Sequence, residues 1–104
     1  MQKRLVTRYA TASPGDADEN QRRIEGVFAA LEASQPSSVS YLVLRLDDGS
    51  FVHVSFHDHG DDEPNPISST DAFAHFQDGH QTRRRGDVDQ HTASLVGVYI
   101  TEIA

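Results

Sequence analysis

The chain has 104 residues, 37% hydrophobic and 24% charged, and its 9 basic and 16 acidic side chains give a formal charge of −7. A chain of this length reads as one domain, residues 1–104, burying roughly 60–70% of its unfolded surface in one core. The acidic balance argues against a general nucleic-acid or anionic-membrane binder, and the lack of Cys excludes disulfides, thiol catalysis and thiolate metal sites.

The start, MQKRLVTRYA, has basic residues but no apolar run after them, so it is not read as a signal peptide. No stretch approaches the ~20 apolar residues of a membrane span, and a cytoplasmic protein is expected. RLVTRYAT (4–11) is β-branched and aromatic and stops at the turn signal SPGD, which predicts a first strand. Asp16 and Glu19 have the spacing of a capping box. Ile24, Val27, Phe28 and Leu31 then fall at i, i+3, i+4 and i+7, one apolar stripe on a helix of about five turns. Pro36 ends it.

VSYLVLRLDDGSFVHVSFH reads as two strands around a three-residue loop, Asp47-Asp48-Gly49, with Gly49 left-handed. That register sets Leu46 opposite Ser50, Leu44 opposite Val52 and Leu42 opposite Val54. It sorts Leu42, Leu44, Leu46, Val52, Val54 and Phe56 onto one face, the expected core. Tyr41, Val43, Arg45, Phe51, His53, Ser55 and His57 take the other. After an acidic loop, SSTDAFAHFQDGHQTRRR predicts a second helix capped by Ser69 or Thr70. Phe73, Phe76 and His80 share one side of it, His75 points away, and Arg83–Arg85 close it. GDVDQHT reads as a polar connection and ASLVGVYITEI as the last strand.

The order β-α-β-β-α-β is that of a ferredoxin-like α+β sandwich, a four-stranded antiparallel sheet with two helices on one face. The uncovered face is expected to carry Tyr41, Val43, Phe51, Leu95 and Tyr99. Such a patch would be buried by packing two sheets as a homodimeric barrel.

RYAT…ADEN…VFAAL, then FVHV and EPNP, then DAFAHFQDGHQTR, together resemble the dimeric α/β-barrel superfamily of antibiotic-biosynthesis monooxygenases and small haem-degrading enzymes. The likeness spans nearly the whole chain, and no piece of it is a specific catalytic signature, so it implies the fold more than an activity. FQDGH resembles the F-x-x-x-H run whose histidine ligates iron in the haem-degrading members, which would make His80 a haem ligand. Those enzymes also use a Trp and an Asn of strand one. This chain has no Trp, and RLVTRYAT has no Asn, so no cofactor is expected. The cofactor-free monooxygenases activate an aromatic phenol with few protein groups. The resemblance then implies His80 as base, with Tyr41 or His53 orienting a small ligand beside Phe73 and Phe76.

Two further stretches carry chemistry-bearing residues. FHDHGDDE (56–63) contains H-x-H-x-D, similar to the first metal box of metallo-β-lactamase-type hydrolases. His57 and His59 would lie about 6–7 Å apart on an extended chain. The chain is too short for that larger fold, and the stretch reads as a strand end entering a solvated acidic loop, with no metal. Arg83–Arg85 reads as a solvated helix end rather than an anion clamp. Two functions stay open: a small cofactor-independent oxygenase, or a non-catalytic dimeric module that binds a ligand or a partner. An open cavity at His80 would favour the first.

Overall fold

The computed structural model describes residues 2–101. Strand β1 (Lys3–Thr11) leads into helix α1 (Pro14–Ser34), followed by β2 (Val39–Arg45) and β3 (Phe51–His57). Helices α2 (Asp71–Gln77) and α3 (His80–Arg83) come next, and β4 (Arg84–Thr92) completes the sheet. The sheet is four-stranded, antiparallel and ordered β2-β3-β1-β4. The helices lie on one face, so the fold is the expected ferredoxin-like sandwich. Among the described residues no helix is long and apolar enough to cross a membrane.

Local chemistry explains most boundaries. α1 starts earlier than Asp16 suggests: Ser13 is the N-cap, its hydroxyl accepts the Asp16 N–H at 3.1 Å, and Pro14 stands at the first helical position. The helix stops where Gln35 turns left-handed (φ 47°) and donates its N–H to Leu31 O. In the hairpin, Leu42 pairs with Val54 and Leu44 with Val52, and Leu46 N–H bonds Ser50 O at 2.8 Å, the predicted register. Gly49 takes φ 86°. Thr70, not Ser69, caps α2, its hydroxyl accepting the Phe73 N–H.

Three expectations are overturned. The first is the sidedness of the sheet. Phe51 is 1% exposed, and Tyr41 and Val43 pack with it against the helices, so this mixed face is the core. Leu42 (39% exposed) and Leu44 (53%) lie on the open face instead. Both faces of the hairpin carry enough apolar area to be buried. The face that the helices cover is the one carrying the Tyr41–His53–Tyr9 network, which Asn20 of α1 completes.

The second is the last strand. β4 is built from Arg84–Thr92, the stretch expected to be a connection, and residues 93–101 of the expected strand form no strand. Residues 102 and 103 of that stretch lie outside the described residues. An edge strand needs partners for its backbone more than apolar side chains, and β1 supplies them from Leu5 to Thr11.

The third is the second helix, which breaks at Asp78-Gly79, where Gly79 takes φ 73°. The break reverses the chain and turns Arg83 inward to 5% exposure, so it is no solvated helix end. Arg84 is half-buried and Arg85 exposed.

The corrected sidedness is directly testable. Phe51→Asp should cost about 4 kcal/mol or more by burying a charge in the core, giving insoluble or unfolded protein. Leu44→Asp should leave a native circular dichroism spectrum. The reverse result would restore the aliphatic face as the core.

Candidate functional site

Sheet pleat and helix break converge on one cavity of about 260 Å3 between the inner sheet face and α2–α3. Alternate residues of β1 and β3 point into it, among them Tyr9, His53 and Ser55. Tyr41 enters from β2, Phe73 and Phe76 from α2, and His80 from α3. Arg84, Val88 and Gln90 of β4 close the far wall. The five residues expected to form a site (His80, Tyr41, His53, Phe73 and Phe76) therefore share one cavity wall. Phe73 and Phe76 lie 5.7 Å apart by ring centroid, and Phe76 and His80 5.0 Å.

His53 is the hub. Its Nε2 lies 2.7 Å from the Tyr9 hydroxyl and its Nδ1 2.6 Å from the Tyr41 hydroxyl. Tyr9 in turn accepts from Asn20 Nδ2 at 2.9 Å, and Asn20 Oδ1 accepts from Arg83 Nε at 3.3 Å. Tyr9 and Asn20 were absent from the expected site. Asn20 is fully buried on the core face of α1, one turn before Ile24. A polar residue on the apolar stripe was the signal in the sequence that could have found it.

Burial sets the protonation states. Desolvation, helped by the charge of His80, holds His53 down at about 4. Desolvation first, then Arg84 and Arg83, holds His80 at about 4 as well. Burial pushes Tyr9 up to about 12 against the lowering effect of the Asn20 hydrogen bond, and raises Tyr41 further. At neutral pH every one of these groups is uncharged.

His80 has a definite tautomer. Arg84 Nη1 can only donate, and it lies 3.1 Å from His80 Nδ1, so Nδ1 accepts and Nε2 carries the proton. That buried Nε2–H has no hydrogen-bond partner among the described residues. His80 therefore offers a donor, not the free lone pair that a base requires.

The histidines of FHDHGDDE are arranged differently. His57 Nδ1 and His59 Nε2 are 3.1 Å apart, His57 Nε2 is 2.8 Å from Ser55 Oγ, and His59 Nδ1 is 3.2 Å from Gly60 O. The two rings bond each other and their neighbours, and the four ring nitrogens are all engaged. Among the described residues no group of three or more His, Cys, Asp or Glu could hold a metal ion.

No protein-family model matches the sequence, and no curated protein sequence matches it. Solved structures do match. A Caulobacter crescentus protein, provisionally assigned as an antibiotic biosynthesis monooxygenase, superposes with a TM-score of 0.70 at 16% identity, covering 92% of this chain and 91% of its own. SnoaB, a cofactor-independent oxygenase from Streptomyces nogalater, gives 0.63 at 15% identity over 93% and 95%. A conserved protein from Methanosarcina mazei gives 0.68 at 9% identity over 89% and 91%. The structural neighbours are thus antibiotic-biosynthesis-monooxygenase-like proteins sharing this ferredoxin-like fold, and at such identities the likeness carries the fold alone.

Two of the histidines with lowered values, His53 and His80, predict a pH dependence of stability. The folded values near 4 lie below the ordinary 6.5, so as pH falls the unfolded chain takes up protons first. Their contribution should be intact above 6.5 and lost between 6.5 and about 4, on the order of a few kcal/mol in all. Denaturant unfolding across that window should show the loss, and His53→Gln with His80→Gln should flatten the slope. An unchanged slope would mean that the imidazoles titrate normally.

Proposed function

We propose that the cavity binds a small aromatic phenol and lets it react with dioxygen without a cofactor. The observation that carries this reading is a cavity wall that brings the rings of Phe73, Phe76 and Tyr9 together with His80, whose buried Nε2–H has no partner among the described residues. Aromatic faces suit a planar ring, and an imidazole N–H donor suits a phenolate oxygen. Held as the anion, an electron-rich phenol can pass one electron to dioxygen. The resulting radical pair joins through a new C–O bond, and the peroxide anion takes up a proton equivalent to the one the phenol gave up, giving a hydroperoxide at a ring carbon that still carries its hydrogen. Loss of that proton and cleavage of the O–O bond release water and leave a quinone. One dioxygen is consumed per phenol, and the substrate supplies all the electrons. His80 acts as hydrogen-bond donor to the oxygen, a different role from the base expected from sequence, and Tyr41 and His53 orient the ring. The kinship in fold with a cofactor-independent oxygenase supports the reaction class. A non-catalytic ligand-binding module would keep the binding and lack the oxygen consumption.

A thermal-shift screen of flavonoid-like phenols and quinones, followed by an oxygen electrode, tests both parts. A binding phenol should stabilise the wild type by about 2.7 kcal/mol at roughly a hundredfold excess over Kd. It should stabilise His80→Leu far less. Equal shifts in both proteins would remove His80 from the site. Binding without oxygen uptake would favour the non-catalytic module.

We further infer a homodimer through the sheet face opposite the helices, formed by Leu42, Leu44, Val52, Val54 and Phe56. Support comes from the exposure of Leu42 and Leu44 and from the tail beyond β4, where Val96, Val98, Tyr99 and Ile100 are 60–101% exposed. Leu95 sits beside Arg4, Ser40 and Phe56 at the edge of that face, so the tail leaves from where a second copy would pack. Sedimentation should give a dimer burying over ~1,000 Å2, and Leu44→Asp a folded monomer. A wild-type monomer at micromolar concentration would overturn this reading.

A further inference from the structure

The chain from Arg83 to Tyr41 has a direction, which follows from donor and acceptor chemistry alone. A guanidinium only donates, so Arg83 Nε fixes Asn20 with Oδ1 toward itself and Nδ2 toward Tyr9. Tyr9 then accepts from Asn20, and its own proton must go elsewhere. The polar atom within reach is His53 Nε2, at 2.7 Å. Were Nε2 protonated instead, the hydroxyl hydrogen of Tyr9, on a residue 4% exposed, would be left without an acceptor. With Nε2 accepting, the proton of the neutral imidazole sits on Nδ1 and is donated to the Tyr41 oxygen at 2.6 Å. Tyr41 thus accepts from inside the core. Its own hydroxyl hydrogen is the one member of the chain without a partner in the core, and Tyr41 lines the cavity.

We propose that Arg83 and Asn20 are positioning residues that polarise a relay through Tyr9 and His53, so that the Tyr41 hydroxyl is presented to the cavity as a donor. The ligand it recognises carries a hydrogen-bond acceptor, a phenolate or quinone oxygen, at the Tyr41 end as well as at His80. This last step rests on the reading of the cavity as a phenol site, whereas the polarity of the relay does not. His53 is then neither base nor proton acceptor for the ligand. It is a fixed link whose tautomer is imposed from α1. The chain is uncharged beyond Arg83, in keeping with its burial.

The tautomer can be read without any ligand. Long-range proton–nitrogen NMR spectra of the full chain, with His53 assigned by comparison with His53→Gln, should show Nδ1 protonated at neutral pH. Asn20→Asp should invert it. A carboxylate facing Tyr9 can only accept, so Tyr9 must donate to it, His53 must donate through Nε2, and Tyr41 must donate back to Nδ1. The new carboxylate beside Arg83 keeps the site paired. An Nε2–H or cationic His53 in the wild type would overturn the proposal, as would an unchanged tautomer in Asn20→Asp. If that variant does not fold, the wild-type spectrum still decides.

For the ligand step the probe is para-nitrophenolate. Its binding to the wild type should weaken about tenfold in both Tyr41→Phe and Asn20→Asp, the loss of one charge-assisted hydrogen bond. Undiminished binding in either variant would remove Tyr41 as the donor. No binding to the wild type would instead count against the phenol reading, with the relay still judged by the tautomer.

Discussion

The guanidinium of Arg83 is the point on which the site depends. It is buried, yet among the described residues no carboxylate pairs with it directly. Nη1 donates to Asp78 O at 2.7 Å, Nη2 to Phe76 O at 2.5 Å and Nε to Asn20. Two of those acceptors are carbonyls at the C-terminal end of α2, which the left-handed Gly79 would otherwise leave without partners. Arg23 of α1 reaches the same end, donating to His75 O at 2.6 Å and Asp78 O at 3.1 Å. The partial negative charge of a helix terminus and several carbonyl dipoles thus replace a counter-ion. Desolvation nevertheless lowers the Arg83 pKa, the mark of a charge held at a cost. The hydrogen bonds that offset this cost tie α3 to α1 and α2 and fix the orientation of the Asn20 amide.

From that fixed amide outward, the relay through Tyr9, His53 and Tyr41 is built of neutral groups, while Arg84 brings a charge to the far wall of the cavity. His53 and His80 are kept uncharged by desolvation, and hydrogen bonds leave neither imidazole with a free lone pair to accept a substrate proton. Nε2 of His53 is taken by Tyr9, and Nδ1 of His80 by Arg84. A site of this kind selects for a ligand that is already acidic. Its protein groups contribute shape, a low-dielectric surrounding and donors, and the reactivity has to reside in the ligand. This matches the size of the chain, which has room for one core and a modest cavity within it.

Elements with a strong period were legible in the sequence. The stripe Ile24–Leu31, the hairpin register around Asp47-Asp48-Gly49 and the Phe73–Phe76 side of α2 all followed from side-chain spacing. Sidedness was not legible, because period two separates faces without saying which one the helices cover. With Leu42, Leu44, Val52 and Val54 on one side and Tyr41, Val43, Phe51 and His53 on the other, hydrophobicity favours the wrong face. The partners that favour the other face, Tyr9 of β1 bonded to His53 and Asn20 of α1 bonded to Tyr9, come only from long-range pairing. β4 was missed for a related reason. Arg84–Thr92 is polar on an edge, while the apolar residues after it form no strand in the single chain. Asn20 and Tyr9 lie 33 or more residues from His53 and carry no motif linking them. Their role exists only once β1 and β3 are paired, with Thr7 opposite His53.

The two faces of the sheet are not independent. On β3, Val52, Val54 and Phe56 point outward between Phe51, His53, Ser55 and His57, which point inward, so one backbone carries both the apolar surface and the hub of the relay. β2 does the same with Leu42 and Leu44 flanking Tyr41 and Val43. β2 is also an edge strand, paired only to β3. Tyr41 therefore rests on the less constrained side of the sheet, and the 2.6 Å contact to His53 depends on how firmly that edge is held. A second copy covering Leu42 and Leu44 would clamp the edge from outside, as α1 does from inside through Phe28, stacked on Tyr41 at 5.0 Å. Geometry at the donor end of the cavity and association through the open face are in that way properties of the same two strands.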